Sequence, residues 1–195
     1  MRALVVLAHP LPESFAHAAA ARIGETLGRR GFEVDLLDLY AEGFDPVLSA
    51  RERRAYFTPP YDSGALSPCA ERLRAANKLA LVFPQWWFDV PAILKGFFDR
   101  ALAPGVAFEH GPYGRPVPLL TQIDALWAVS STGAPWWFTR FVMGDPARRQ
   151  LARGMKPWLC PKAKFRMFTL DHMDAMTRER ASAFLARLEK EFAHF

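Results

Sequence analysis

Cysteine is scarce: Cys69 and Cys160 are the only two in 195 residues. They lie far apart, form no C-x-x-C pair and carry no metal-ligand spacing, so no metal site is expected. A core of this size needs no disulfide, and a reducing, cytoplasmic setting is the expectation. Long apolar runs are missing too. None is long enough to span a bilayer, so no stable membrane insertion is expected, with peripheral attachment left open. The apolar run ahead of His9-Pro10 is too short for the apolar region of a signal peptide. Two glycine patterns that cradle phosphates are absent. Without G-x-G-x-x-G or G-x-x-x-x-G-K-S/T, neither a Rossmann dinucleotide site nor a P-loop is expected. No internal repeat occurs at solenoid periods, and no segment is of low complexity. Charge of one sign is not concentrated. The net +5 is spread along the chain, with local groups at Arg51–Arg54 and Arg148–Arg153. Such groups are solvated helix faces or attract an anion such as a nucleotide phosphate. No nucleic-acid partner is expected.

What the chain does contain is ordinary globular composition, 51% hydrophobic and 23% charged, enough for a single domain over residues 1–195. Short apolar runs alternate with helical patterns. Strands are expected at Ala3–Ala8, Glu33–Leu39, Lys78–Phe83, Ala125–Ser130 and, more weakly, Ala163–Thr169. Helices are expected at Ser14–Arg29, about Pro68–Ala76, Pro91–Ala103, within Phe138–Gly154, and at Thr177–Phe192, whose apolar face is clear. Strand, helix, strand in repetition implies an α/β fold, a parallel sheet with helices on both faces. Five strands fit the doubly wound, flavodoxin-like order 2-1-3-4-5, with a ligand beyond the carboxyl ends of the strands at the switch point. That selects the loops after strands one, three and four. The segment Tyr40–Ser67 is a long, proline-punctuated excursion with a short helix near Ser49–Tyr56.

The first loop, His9-Pro10-Leu11-Pro12-Glu13-Ser14-Phe15, meets a helix N-terminus, where free N–H groups and the dipole suit phosphate. Ser14 is a natural N-cap and is also able to donate to an anion. His9 is either a ligand contact or a satisfied histidine at a strand end. The second loop carries Trp86, Trp87 and Phe88 before Pro91, which is suited to open the next helix. These rings either wall a flat heterocycle, with backbone N–H groups from Gln85 to Phe88 donating to its polar edge, or plug a gap between helices. The third loop, Ser130-Ser131-Thr132-Gly133-Ala134-Pro135-Trp136-Trp137, lets backbone approach a planar ligand closely. Four of the six tryptophans fall in two loops that the topology makes neighbours, which favours the ligand reading.

"HPLPESF" after strand one, "FPQWWFDVPAILKGFFDR" after strand three and "STGA" after strand four resemble the NAD(P)H:quinone reductase family of flavodoxin-like flavoproteins. The middle stretch follows the family's P-x-x-W-F-x-V-P-A-I-L-K-G-x-x-D/E-R nearly throughout. The resemblance includes Phe44-Asp45-Pro46 and fades after Gly154. It implies a tightly bound flavin (FAD or FMN, with FAD preferred), a homodimer with the flavin at the interface, and two-electron reduction of quinones by NADH or NADPH. By position, His9, Ser14 and Phe15 resemble the residues around the flavin phosphate. Pro84, Gln85, Trp86, Trp87 and Phe88 resemble the isoalloxazine wall, and Thr132, Gly133 and Ala134 the loop on the flavin's pyrimidine side. Lys95, Gly96, Asp99 and Arg100 belong to the motif but read as helix packing and a helix-end ion pair. There are departures. Ala16 stands where the family commonly has Asn. The positions flanking the substrate pocket fall at Trp137 and Met143, and those at its mouth at Phe108 and His110. The catalytic residues implied are therefore His110, as donor to a quinone oxygen, and Trp137 at the pocket. Two other readings are a flavin-binding ancillary subunit of a glutathione-gated potassium efflux system and a flavodoxin-type electron carrier. The basic charge speaks against the carrier.

Overall fold

The computed structural model describes residues 1–57 and 67–195. Its frame is a sheet of five parallel strands: β1 (Arg2–Leu7), β2 (Glu33–Asp38), β3 (Lys78–Pro84), β6 (Ala125–Ser131) and β7 (Lys164–Leu170), in the order β2-β1-β3-β6-β7. With the strands renumbered, this is the expected order 2-1-3-4-5. The residues explain the ranking. β1, β3 and β6 are near-continuous apolar runs and are buried along almost their whole length, as central parallel strands must be. β2 and β7 mix buried and exposed positions and take the two edges.

Helices cover both faces. On one, α1 (Phe15–Arg29) packs beside α7 (Arg178–Phe192), with Phe15 edge-on to Phe184 and Arg22 and Arg29 both paired to Glu189. On the other, α3 (Ser67–Ala75) and α4 (Ala92–Ala101) enclose Leu4, Leu73, Leu81, Leu94 and Phe97. Among the described residues, no helix is long and apolar enough to cross a membrane.

Part of the excursion after β2 docks on α4. A Cβ on Gly96 would stand 2.3 Å from the Cβ and carbonyl oxygen of Pro46, so only glycine permits that approach. The Arg100 guanidinium donates to the Asp45 carbonyl, pairs with Glu52 at 2.7 Å and lies over the Phe44 ring. Glu52 belongs to α2 (Ala50–Ala55), which Ser49 and Glu52 close with a reciprocal capping box. The motif's Gly96 and Arg100 are thus structural, as expected, and Lys95 pairs with Asp99 one turn on. The rest of the excursion, residues 58–66, lies outside the described residues.

Three expectations need correction. Phe108–Pro112, which its Gly111-Pro112 pair marks in the sequence as a turn-rich loop, is not simply a loop. Phe108–His110 forms β4, antiparallel to β5 (Pro116–Pro118) in a separate hairpin. Three-residue strands are too short to reveal alternation. The helix expected within Phe138–Gly154 is broken. A wide π-type turn at Phe138–Val142 is followed by α5 (Pro146–Arg149), a second π-type stretch at Gln150–Met155 and α6 (Lys156–Leu159). Gly144 and Asp145 hold positive φ ahead of Pro146, which stops a continuous ladder. Pro91 is the N-cap of α4 and not its first helical residue.

Candidate active site

The carboxyl ends of β1, β3 and β6 converge where the strand order reverses, between β1 and β3. Ring contacts tie their loops together. His9 lies 6.0 Å from Trp86, and Phe88 lies 5.7 Å from Phe138.

In the loop after β1, the Leu11 N–H donates to His9 Nδ1 at 3.1 Å, which leaves Nε2 to carry the proton. Burial holds the His9 pKa below its ordinary 6.5, and nearby His17 adds to that, so the imidazole is neutral at neutral pH. Ser14 is the N-cap of α1, as expected, and accepts from the His17 N–H at 3.3 Å. Its hydroxyl also meets His17 Nδ1 at 3.0 Å, and His17 Nε2 meets Asp38 Oδ2 at 3.1 Å. Asp38 is anchored in turn by the N–H groups of Tyr40 and Ala41. In the tautomer whose Nε2–H donates to the carboxylate, Nδ1 accepts the Ser14 hydroxyl proton. This relay fixes the hydroxyl at the helix entrance. The first-turn N–H groups of Phe15 and Ala16 have no partner within the helix. The Phe15 ring packs on Phe184, so its side chain serves the α1–α7 contact.

After β3 the chain makes a two-residue turn closed by the Trp86 N–H to the Asp89 carbonyl at 3.1 Å and the Asp89 N–H to the Trp86 carbonyl at 3.2 Å. Its central residues, Trp87 (φ 54°) and Phe88 (φ 65°), are both left-handed. Turns of this kind favour Asn-Gly, and a bulky residue there costs about 1–3 kcal/mol. The Trp87 side chain is 95% exposed, so core packing does not compensate. Of the four N–H groups expected to be free, Gln85's goes to the Ser131 carbonyl and Trp86's closes the turn. Those of Trp87 and Phe88 have no partner among the described residues. Pro84 is buried at the end of β3 opposite Ser131. The Gln85 side chain turns inward. Its Nε2 donates to Ser130 Oγ at 2.9 Å, Ser130 meets Thr169, and Oε1 is buried without a partner.

After β6, Thr132 N–H donates to the Leu170 carbonyl at 2.9 Å and Ala134 N–H to Thr132 Oγ1. A Cβ on Gly133 would stand 2.7 Å from an Asp174 carboxylate oxygen, so a larger residue here would make that exposed side chain move. Trp136 and Trp137 follow, each about half exposed. His110 stands apart. On β4 its ring stacks on Phe57 at 5.1 Å and lies edge-on to Tyr56 and Phe108.

The residues missed in the sequence are His17 and Asp38. His17 sits one turn into α1 from the Ser14 cap, and Asp38 ends β2 opposite Leu7, so an i, i+3 pair meeting a strand end was the available signal. Among the described residues no cluster of three histidines, cysteines or acids can hold a metal. Both cysteines are free. Burial pushes the Cys160 thiol up to about 11 and raises Cys69 too, which excludes a ready thiolate nucleophile. Exposed rings, two unpaired amides, an orphaned buried carbonyl and a capped helix entrance together fit a planar heterocycle bearing a phosphate tail.

A family model described as a flavodoxin-like fold matches residues 1–192. NAD(P)H dehydrogenase (quinone) 1 of Rattus norvegicus is 38% identical over 142 residues, 62% of this chain and 52% of that protein. Ribosyldihydronicotinamide dehydrogenase (quinone) of Homo sapiens is 31% identical over 161 residues, 74% of this chain and 69% of that protein. The alignments with the rat and guinea-pig relatives span about half of those proteins' length. The solved NAD(P)H:quinone oxidoreductase of Methanothermobacter marburgensis superposes with a TM-score of 0.82 at 25% identity, covering 99% of this chain and 98% of that one. The chain belongs to this flavodoxin-like family.

The strained turn yields a prediction. Trp87→Gly removes a ring that packs on little and relieves a left-handed φ, so ligand-free protein gains about 1 kcal/mol in chemical denaturation. A loss of stability would show that the turn is not strained.

Proposed function

We propose that the protein is a flavin-dependent NAD(P)H oxidoreductase that reduces quinones or similar acceptors and works as a homodimer in the cytoplasm. One observation carries this reading: a strained Trp87-Phe88 turn presents two unpaired amides among exposed rings at the switch point. The family, and relatives whose names state NAD(P)H and quinone, support it. Nothing in the fold or the relatives favours the ancillary-subunit reading, and the net charge of +5 is opposite to what an acidic electron carrier needs.

FAD or FMN, when bound, would supply a two-electron carrier able to take hydride from NAD(P)H and return it to an acceptor. The chain's own residues do the rest. The first-turn amides of α1 would receive the phosphate at the helix entrance that Ser14 caps, with His17 and Asp38 holding the Ser14 hydroxyl in place. The Trp87 and Phe88 amides, which have no partner among the described residues, would donate to the polar edge of the ring and stabilise negative charge there. Trp86, Phe88 and Trp137 form apolar walls that exclude water, and Thr132-Gly133-Ala134 closes the remaining side. His9 adds a neutral donor beside Trp86. His110 is the proposed proton donor to the acceptor's oxygen, and Trp137, whose indole N–H is a hydrogen-bond donor but no acid at neutral pH, positions the acceptor by ring contact.

Replacing Trp86 and Phe88 together with alanine should yield folded but largely colourless protein. Full flavin content in that variant would remove the wall assignment. His110→Phe should slow reoxidation of the reduced protein by quinone about 100-fold, with reduction by NAD(P)H little changed. Equal reoxidation rates in parent and variant, followed by stopped-flow absorbance, would return His110 to a packing role beside Phe57.

A further inference from the structure

Arg140, Arg148, Arg149 and Arg153 line one open cavity of about 260 Å³ together with Phe141 and Asp145. The lining holds four arginines and a single acid. Among the described residues none of the four forms an ion pair. Elsewhere the fold pairs its arginines freely: Arg72 with Asp35 and Glu42, Arg100 with Glu52, Arg166 with Glu191. Like charges gathered without counter-charge repel one another, and a bound anion removes that repulsion.

The backbone builds this arrangement deliberately. Arg140 and Arg153 sit on the two π-type stretches, Phe138–Val142 and Gln150–Met155, a conformation frequent at functional sites. Gly144 and Asp145, both left-handed, turn the chain between them. A Cβ on Gly144 would come within 3.3 Å of Arg149 Nη1, so glycine leaves room for that guanidinium. Arg148 is held over the Phe165 ring at 5.5 Å, and buried Ala147 and Leu151 anchor the segment.

Location supplies the ligand class. Phe141, 71% exposed, packs against Trp136 at 5.8 Å, so the cavity adjoins the loop that carries Trp137 of the aromatic wall. A ligand with a ring system at that wall and a phosphate farther along fits both. Guanidinium groups suit phosphate because they donate two parallel hydrogen bonds each. NADPH differs from NADH only by its 2′-phosphate. We propose that this cavity holds the 2′-phosphate of NADPH and makes the protein select NADPH over NADH. The proposal rests on the NAD(P)H reading above. The pyrophosphate of FAD offers similar chemistry, and the test separates the two.

The test titrates flavin-loaded protein calorimetrically with adenosine 2′,5′-bisphosphate and with 5′-AMP, and measures KM for NADPH and NADH. It compares the parent with Arg149→Gln/Arg153→Gln and Arg149→Lys/Arg153→Lys, all at exposed positions. In the parent the bisphosphate binds about tenfold or more tighter than AMP, and KM for NADPH is lower than for NADH by a similar factor. The glutamine variant loses both differences and the lysine variant keeps part of them. Equal binding of the two nucleotides by the parent overturns the proposal, as does a difference that persists in the glutamine variant. If that variant loses flavin while keeping the bisphosphate preference, the cavity serves the cofactor's phosphates and the proposal fails. Should the parent oxidise neither nucleotide, the activity assigned above fails, and the titration still decides the cavity.

Discussion

Two consecutive aromatic residues hold a left-handed backbone between β3 and α4, and the candidate site depends on that turn. A glycine would adopt it at no steric cost. Trp87 and Phe88 do so at a cost of about 1–3 kcal/mol each, and they persist because the ends of the turn are fixed. On one side β3 is locked into the sheet, with Pro84 opposite Ser131 and the Gln85 N–H bonded to the Ser131 carbonyl. On the other, Pro91 starts a helix whose Leu94 and Phe97 are fully buried. What the strain achieves is the presentation of two amides and exposed rings at one place.

The other parts of the site use the same logic of rigid elements with short, fixed ends. β1 ends in a loop whose Ser14 caps α1, and the proton of that serine is directed by His17, which Asp38 of β2 holds. β6 ends in a loop pinned to the segment after β7, with Gly133 admitting Asp174. Each strand of the switch point thus delivers one component. The hydrophobic clusters on the two faces of the sheet supply the stability against which local strain and unpaired amides are tolerated.

Much of this was legible in the sequence because it lies in local patterns. The strand runs set the sheet order, and the aromatic stretch Trp86-Trp87-Phe88 stood at the mouth of β3 where topology puts a ligand. Ser14 as a cap followed from residue type and position. What was hidden depends on distant partners or on backbone angles. His17 gains meaning only when Asp38 arrives from another strand. The direction of the Gln85 side chain is decided by Ser130, and the loss of its free N–H by Ser131. The β4–β5 hairpin is too short to have a periodicity, and the π-type stretches near Gly144 differ from an ordinary helix only in geometry. The arginine group at 148–153 was visible as charge, but its closure with Arg140 around one cavity was not.

The central claim is that the rings and amides at the switch point hold a flavin that NAD(P)H reduces. Anaerobic mixing of the purified protein with NADPH, followed at the visible flavin band, tests it most directly. The expected result is a yellow protein that bleaches with one equivalent of nucleotide per subunit and regains its colour on addition of a quinone. A colourless protein that takes up neither FAD nor FMN, or a bound flavin that NADPH and NADH leave oxidised, would contradict it.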